Sequence, residues 1–195
     1  MSRIVDLWID LRSPYSFLAM EPAYALEAEF GVTLRLRPFT LDIQGTYNVS
    51  DPKVAARALR RIKYLYADVR RFANKRGMVI FGPKKIFDPT LIHLAWLFAE
   101  ACGKGRALID AAYPRFFKRE FDYEDRAAVE ALLAEIGVDV AGFDAFARGP
   151  GPATVAEHQA EGEKQGVFAV PTFVVDGELF WGQDRIEFVR AKLAS

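Results

Sequence analysis

The chain has 195 residues, 51% of them hydrophobic, and its 26 basic and 26 acidic side chains cancel to a formal charge of zero. That is enough apolar material for a sizeable core, which excludes a disordered chain, and the neutral balance gives no bulk attraction to nucleic acid or anionic membrane. A single cysteine, Cys102, excludes an internal disulfide, and His93 and His158 lie too far apart to form a metal-ligand spacing.

The opening MSRIVDLWID carries charges within its apolar stretch and does not read as a signal peptide, so a cytoplasmic protein is expected. Ile4 to Leu11 is rich in Ile, Val, Leu and Trp around Asp6, the pattern of a mostly buried strand. A helix follows, with Ser13 as N-cap, Pro14 at the first helical position and Gly31 just past its end; Pro22 inside it predicts a kink. In VTLRLRPF, Val32, Leu34 and Leu36 alternate with Thr33, Arg35 and Arg37, a strand of period two. Strand, helix, strand in so short a span is a βαβ unit with two parallel strands.

Residues 50 to 165 read as helical throughout. Asp51-Pro52 opens a long helix closed by Gly77, and Asp88-Pro89 opens a second closed by Gly103. The latter contains the longest apolar run, around Leu91 to Ala99, which is too short to span a bilayer. A third segment from Gly105 carries Pro114 and is expected to kink or break there. Helical patterns recur around Arg126 to Ile136 and Thr154 to Gln165. The C-terminal TFVVDGELFWG has two β-rich runs joined by Asp176-Gly177, a type I′ hairpin signal, and Ile186, Val189 and Leu193 then recur at helical spacing. The architecture expected is α/β: a small domain from residues 1–45 and 166–195, with an all-helical domain, residues 46–165, inserted between its halves.

β-α-β followed by β-β-α is the thioredoxin order, and the helical insertion resembles that of the bacterial periplasmic disulfide oxidoreductases. Those proteins open the first helix with Cys-x-x-Cys, where this chain has Ser13-Pro14-Tyr15-Ser16. A serine pair cannot exchange disulfides. SPYS near the start, together with VPTFVVDGELFWGQDR near the end, resembles the kappa-class glutathione transferases and 2-hydroxychromene-2-carboxylate isomerases; the FWGQDR stretch is closer to the isomerase branch. The resemblance implies a glutathione-dependent isomerase acting on an aromatic carboxylate and working as a homodimer; the composition and spacing given above add the expectation of no nucleic acid, membrane or metal. A kappa-like transferase or peroxidase, or a noncatalytic thiol-peptide binding protein, are the alternatives.

A thiol of pKa about 8.5 is largely protonated at neutral pH, so an enzyme using glutathione must favour its thiolate. A helix N-terminus and a serine hydroxyl both do so, which makes Ser13 the expected catalytic residue. The resemblance further implies a cis Val170-Pro171 bond, with the Val170 backbone pairing with the cysteinyl unit. It assigns Gln183 to the γ-glutamyl carboxylate and Asp184 to the adjacent ammonium. Nine Lys and Arg between Lys53 and Arg76 face Asp68 as the lone acid. Most of them read as a solvated face, with one or two meeting an anion. Either Arg61 or Lys63 would stand where the isomerases carry lysine, and Asn48 matches a loop asparagine able to hydrogen-bond peptide or substrate. The chain lacks the asparagine that the family often has near Pro89-Thr90-Leu91.

Overall fold

A computed structural model describes residues 2–43 and 51–195 of the chain. Strand β1 (Ile4–Ile9) leads through a short turn to α1 (Pro14–Phe30) and then β2 (Thr33–Pro38), which lies parallel to β1. The remaining strands, β3 (Thr172–Val175) and β4 (Glu178–Trp181), complete a sheet of order β2-β1-β3-β4 in which β1/β3 and β3/β4 are antiparallel. The expected βαβ and ββα halves are both present.

As one of two inner strands, β1 buries both faces. Val5, Leu7 and Ile9 join the main core with Phe173 and Val175, while Trp8 packs on the other face with Phe39, Val167, Val170 and Val174. The period-two reading of β2 fixes its register: Arg35 lies opposite Asp6 and binds it at 2.8 and 2.7 Å, and Arg37 lies opposite Trp8, its guanidinium 5.1 Å from the ring centroid. The hairpin turn takes positive φ at both Asp176 (51°) and Gly177 (80°), as a type I′ turn requires.

Between the halves run α2 (Pro52–Lys75), α3 (Thr90–Ala101), α4 (Gly105–Phe117), α5 (Arg126–Glu135), the short α6 (Phe143–Arg148) and α7 (Gly151–Lys164); α8 (Ile186–Ala194) closes the chain. Asp51 caps α2 by accepting from Lys53 N, and Gly77 and Gly103 take the positive φ expected after α2 and α3. Helix α7 packs close to the sheet at Gly162, where a β-carbon would meet Phe39 at 2.8 Å and Trp8 at 3.1 Å.

Two expectations need correction. Residues 50 to 165 are not helical throughout: the segment between α2 and α3, residues 78–89, is irregular, because Gly77 ends α2, Gly82-Pro83 interrupts the next turn and Asp88-Pro89 delays α3. Nor does Pro114 break its helix. It falls in the last turn of α4, and the helix continues to Phe117 with Tyr113, Phe116 and Phe117 buried. Helix α1 likewise runs through Pro22 as one element. The expected junction at residues 45 and 46 and the candidate Asn48 lie outside the described residues.

Candidate functional site

The turn from β1 into α1 is where the sheet meets the site. Ser13 takes extended backbone angles, its Oγ accepts from Ser16 N at 3.2 Å, and its C=O accepts from Phe17 N at 3.1 Å. The predicted cap is therefore present, with Pro14 placed where a missing N–H costs nothing. Among the described residues the Ser13 hydroxyl donates to no acceptor. Ser13 is largely buried, 6% exposed, and it lines a cavity of about 620 Å³.

That cavity is mostly apolar. Ile62 and Leu65 come from α2, Ile86 and Phe87 from the irregular segment, and Phe168 and Trp181 from either side of β3. The last two are exposed and meet edge to face, ring centroids 5.0 Å apart. Three cations enter the same lining, Arg12, Arg61 and Lys85. Lys85 is paired with Glu124 and lies 4.7 Å above the Phe87 ring. Arg61 has no hydrogen bond or ion pair among the described residues, and it is exposed to the cavity.

Val170 lines the cavity, and its bond to Pro171 is cis. The Pro171 carbonyl accepts from Gly182 N at 2.9 Å, which joins this bend to the turn after β4. Gln183 and Asp184 lie in that turn, which packs on α1. Gln183 is buried; Asp184 is half exposed and 3.2 Å from Arg185. The structure thus brings Ser13, Arg61 and Val170 to one cavity. Pro171, Gln183 and Asp184 sit beside it, outside its lining, and Lys63 is exposed elsewhere on α2.

Sequence reasoning missed what lies behind Ser13. Asp10 is fully buried and binds Arg12 through two bonds, Nε to Oδ1 at 3.0 Å and Nη2 to Oδ2 at 2.6 Å. Burial alone would raise the Asp10 carboxyl, but the Arg12 hydrogen bond, nearby positive charge and the Leu41 amide hold it below its ordinary value. Beside it, burial pushes His93 down to about 4, so this imidazole is neutral at pH 7; its Nδ1 lies 3.2 Å from Thr40 Oγ1. The available signal was Asp-x-Arg directly before Ser-Pro: two opposite charges at the end of an apolar strand, too close to solvate separately once that strand is central. Tyr15, also in the lining, donates to Asp68 of α2 at 2.8 Å, and burial together with that carboxylate pushes its phenol well above the usual range.

A family model described as a DSBA-like thioredoxin domain matches residues 4–194. The chain belongs to that family. Its architecture is thus the thioredoxin-like one with a helical insertion. Among curated proteins, it is 27% identical to the 2-hydroxychromene-2-carboxylate isomerase of Sphingobium xenophagum, over 99% of both chains. It is 24% identical to the Pseudomonas putida protein of the same name, over 94% of this chain and 90% of that one. A solved 2-hydroxychromene-2-carboxylate isomerase superposes with a TM-score of 0.82 at 21% identity, covering 98% of this chain and 94% of that one. The cytosolic disulfide reductase DsbM of Pseudomonas aeruginosa, solved with GSH, gives a TM-score of 0.65 at 20% identity over 98% and 100%. The chain shares its fold with a protein named as a disulfide reductase, while its own α1 opens with Ser13-Pro14-Tyr15-Ser16 and carries no cysteine.

Proposed function

We propose that the protein is a glutathione-dependent cis-trans isomerase of an aromatic carboxylate of the 2-hydroxychromene-2-carboxylate type. The observation that carries this reading is Ser13, whose hydroxyl hydrogen has no acceptor among the described residues and lies at a helix N-terminus, on the wall of an apolar cavity that also holds Arg61, unpaired among the same residues. Full-length likeness to curated isomerases supports it.

The residues suit glutathione. Ser13 Oγ already accepts from Ser16 N, so its own hydrogen is left to stabilise a sulfur anion at the cavity wall. The positive end of α1 acts in the same sense. Val170 would offer its backbone to the cysteinyl unit, and Gln183 with Asp184 would receive the γ-glutamyl end on the adjoining surface, while Asn48 belongs to the same expectation. When bound, glutathione supplies a nucleophilic thiolate for reversible addition to a conjugated acid. Arg61 would hold the substrate carboxylate, and Phe87, Leu65 and the Phe168–Trp181 pair would bracket its ring and exclude water. No oxidant or reductant is consumed, in keeping with a site that has serines instead of cysteines.

Assays with a 2-hydroxychromene-2-carboxylate and with a chloronitrobenzene, each with and without glutathione, test the reading. The expected result is isomerisation that requires the thiol and exceeds conjugation. Isomerisation equally fast without thiol overturns the glutathione role. Conjugation alone favours a kappa-like transferase, and glutathione binding by calorimetry without turnover favours a binding protein.

A further inference from the structure

The cavity wall beside Ser13 is assembled from three chain segments: the β1–α1 turn; the stretch after β2 with Leu41, whose start is tied to β1 by Phe39 N to the Ile9 carbonyl at 2.9 Å; and the irregular segment with Phe87. One side chain reaches all of them. The Arg12 guanidinium binds Asp10 through Nε and Nη2, donates from Nη2 to the Leu41 carbonyl at 2.8 Å, and donates from Nη1 to the Phe87 carbonyl at 3.0 Å. Asp10 answers with acceptor bonds from Arg12 N at 2.8 Å and Leu41 N at 2.9 Å. Tyr113 and Tyr123 brace the same turn from behind, through the carbonyls of Asp10 and Leu11. The Arg12 side chain is only 6% exposed and Asp10 is 0% exposed. The Leu41–Arg12–Phe87 bridge also stands between the Ser13 cavity and a neighbouring hollow lined by Thr40, Pro89, Val155 and Gln159.

We propose that Arg12 is a positioning residue of this site: neutralised by Asp10, it clamps the Leu41 and Phe87 segments to the turn that carries Ser13, and so sets the width of the substrate cavity. The planar fork suits this task because one rigid group addresses a carboxylate and two carbonyls at once; a lysine ammonium cannot reproduce that geometry. The Ser13 hydroxyl, by contrast, is oriented by bonds that do not involve the Arg12 side chain, namely Ser13 N to the Asp10 carbonyl and Ser16 N to Ser13 Oγ. The clamp therefore acts on the fit of the substrate, whereas the thiol is governed by the helix. The kinetic part of this inference rests on the reading of the cavity given above; the structural part does not.

The test combines amide hydrogen exchange with kinetics. In the native protein, the Leu41 amide should exchange slowly, at rates comparable to core amides; exchange as fast as an exposed loop overturns the clamp whatever the enzyme does. In Arg12→Lys, the Leu41 and Asp88 amides should exchange at least tenfold faster, while β1, β3 and α4 keep native rates. With 2-hydroxychromene-2-carboxylate as probe, kcat/KM should fall by about 10²-fold, mostly through KM, as expected for displaced cavity walls. The ultraviolet titration of bound glutathione should stay native. A general loosening of the fold would move that titration too, and would overturn a role confined to the cavity walls. Native exchange and native KM in Arg12→Lys overturn the proposal while leaving the Ser13 reading intact. If the native protein does not isomerise the probe, the Ser13 reading fails and the exchange arm alone decides whether the clamp exists.

Discussion

The two walls of the Ser13 cavity are built on different principles. On one side, the β1–α1 turn, the cis-proline bend and the end of β4 are fixed by strand pairing and by the buried Asp10–Arg12 pair. On the other, α2 is anchored mainly near its C-terminal end, where Val69 and Ala73 are buried, and its N-terminal turns are largely exposed. The first wall can hold a hydroxyl where, in the function proposed, a sulfur anion would be met. The second offers charge and apolar surface at little structural cost, so its residues are free to vary with the substrate. Chemistry and the width of the cavity are expected to reside in the rigid wall, and attraction of the substrate's charge in the exposed one.

The largest expected effect bears on the rigid wall. His93 has a folded pKa of about 4, below its ordinary value of about 6.5, so as pH falls the unfolded chain takes up the proton first. Stability is unaffected above pH about 6.5 and is lost between that pH and about 4. A shift of this size is worth roughly 3 kcal/mol in full, of which about 2 should be gone at pH 5. His158, lowered to about 4 by burial and then by Arg37, acts in the same window. Urea midpoints at pH 7.5, 6 and 5 check this. A flat profile would mean that the His93 pocket is wet, and that the wall is less rigid than its hydrogen bonds imply.

Next in size is Ser13→Ala. Loss of one donor to a charged sulfur is typically worth about 1.5 to 3 kcal/mol, so turnover should fall roughly tenfold to a few hundredfold and the pKa of bound glutathione should rise. The N-cap contribution lost with it is about 1 kcal/mol, which leaves the protein folded. Ultraviolet titration of the complex reads the thiolate directly. Unchanged titration and turnover would reduce Ser13 to a helix cap and move the chemistry off the rigid wall.

Both halves of the sheet were legible because their signals are local: period-two alternation in β2, Ser-Pro at a helix start and Asp-Gly at a hairpin each specify geometry within a few residues. The helix cap at Ser13 was legible for the same reason, whereas its expected catalytic role came from the resemblance. The Asp10–Arg12 clamp was not, because its meaning depends on partners far along the chain, the carbonyls of Leu41 and Phe87, which composition does not encode. The irregular segment before α3 was absorbed into a helical reading although Gly82-Pro83 and Asp88-Pro89 both argued against helix there. Of the two basic candidates on α2, the structure places one at the cavity wall. Arg61 shares the cavity with Ile62 and Leu65, while Lys63 does not line it.

That assignment gives a smaller prediction, aimed at the exposed wall. Arg61→Ala should raise KM for an anionic substrate about three- to tenfold with little change in kcat, and the difference should shrink as salt rises, since an exposed cation is screened. Lys63→Ala serves as the control and should leave both constants near native. If Lys63→Ala has the larger effect, α2 is placed differently in the working enzyme, and the division of labour between the walls fails.

The smallest effect is expected at a polar tie from the first turn of α1 to α2, Tyr15 to Asp68. The tyrosine lies two residues from Ser13 and lines the cavity, so it could be taken for a proton donor in the reaction. Its environment argues otherwise. Burial, and then the Asp68 carboxylate at 2.8 Å, hold the phenol in its protonated form, and its hydrogen is already committed to that carboxylate. Asp68 also accepts from Arg71 at 3.0 Å, so it keeps a partner if the hydroxyl is removed. Tyr15→Phe should therefore cost about 1 kcal/mol of stability and change kcat less than about threefold, with no limb lost from the pH–rate profile. A hundredfold drop in kcat would identify Tyr15 as an acid. The exposed wall would then take part in the chemistry through the Asp68 that sets the tyrosine's proton affinity, and the separation between the two walls would no longer hold.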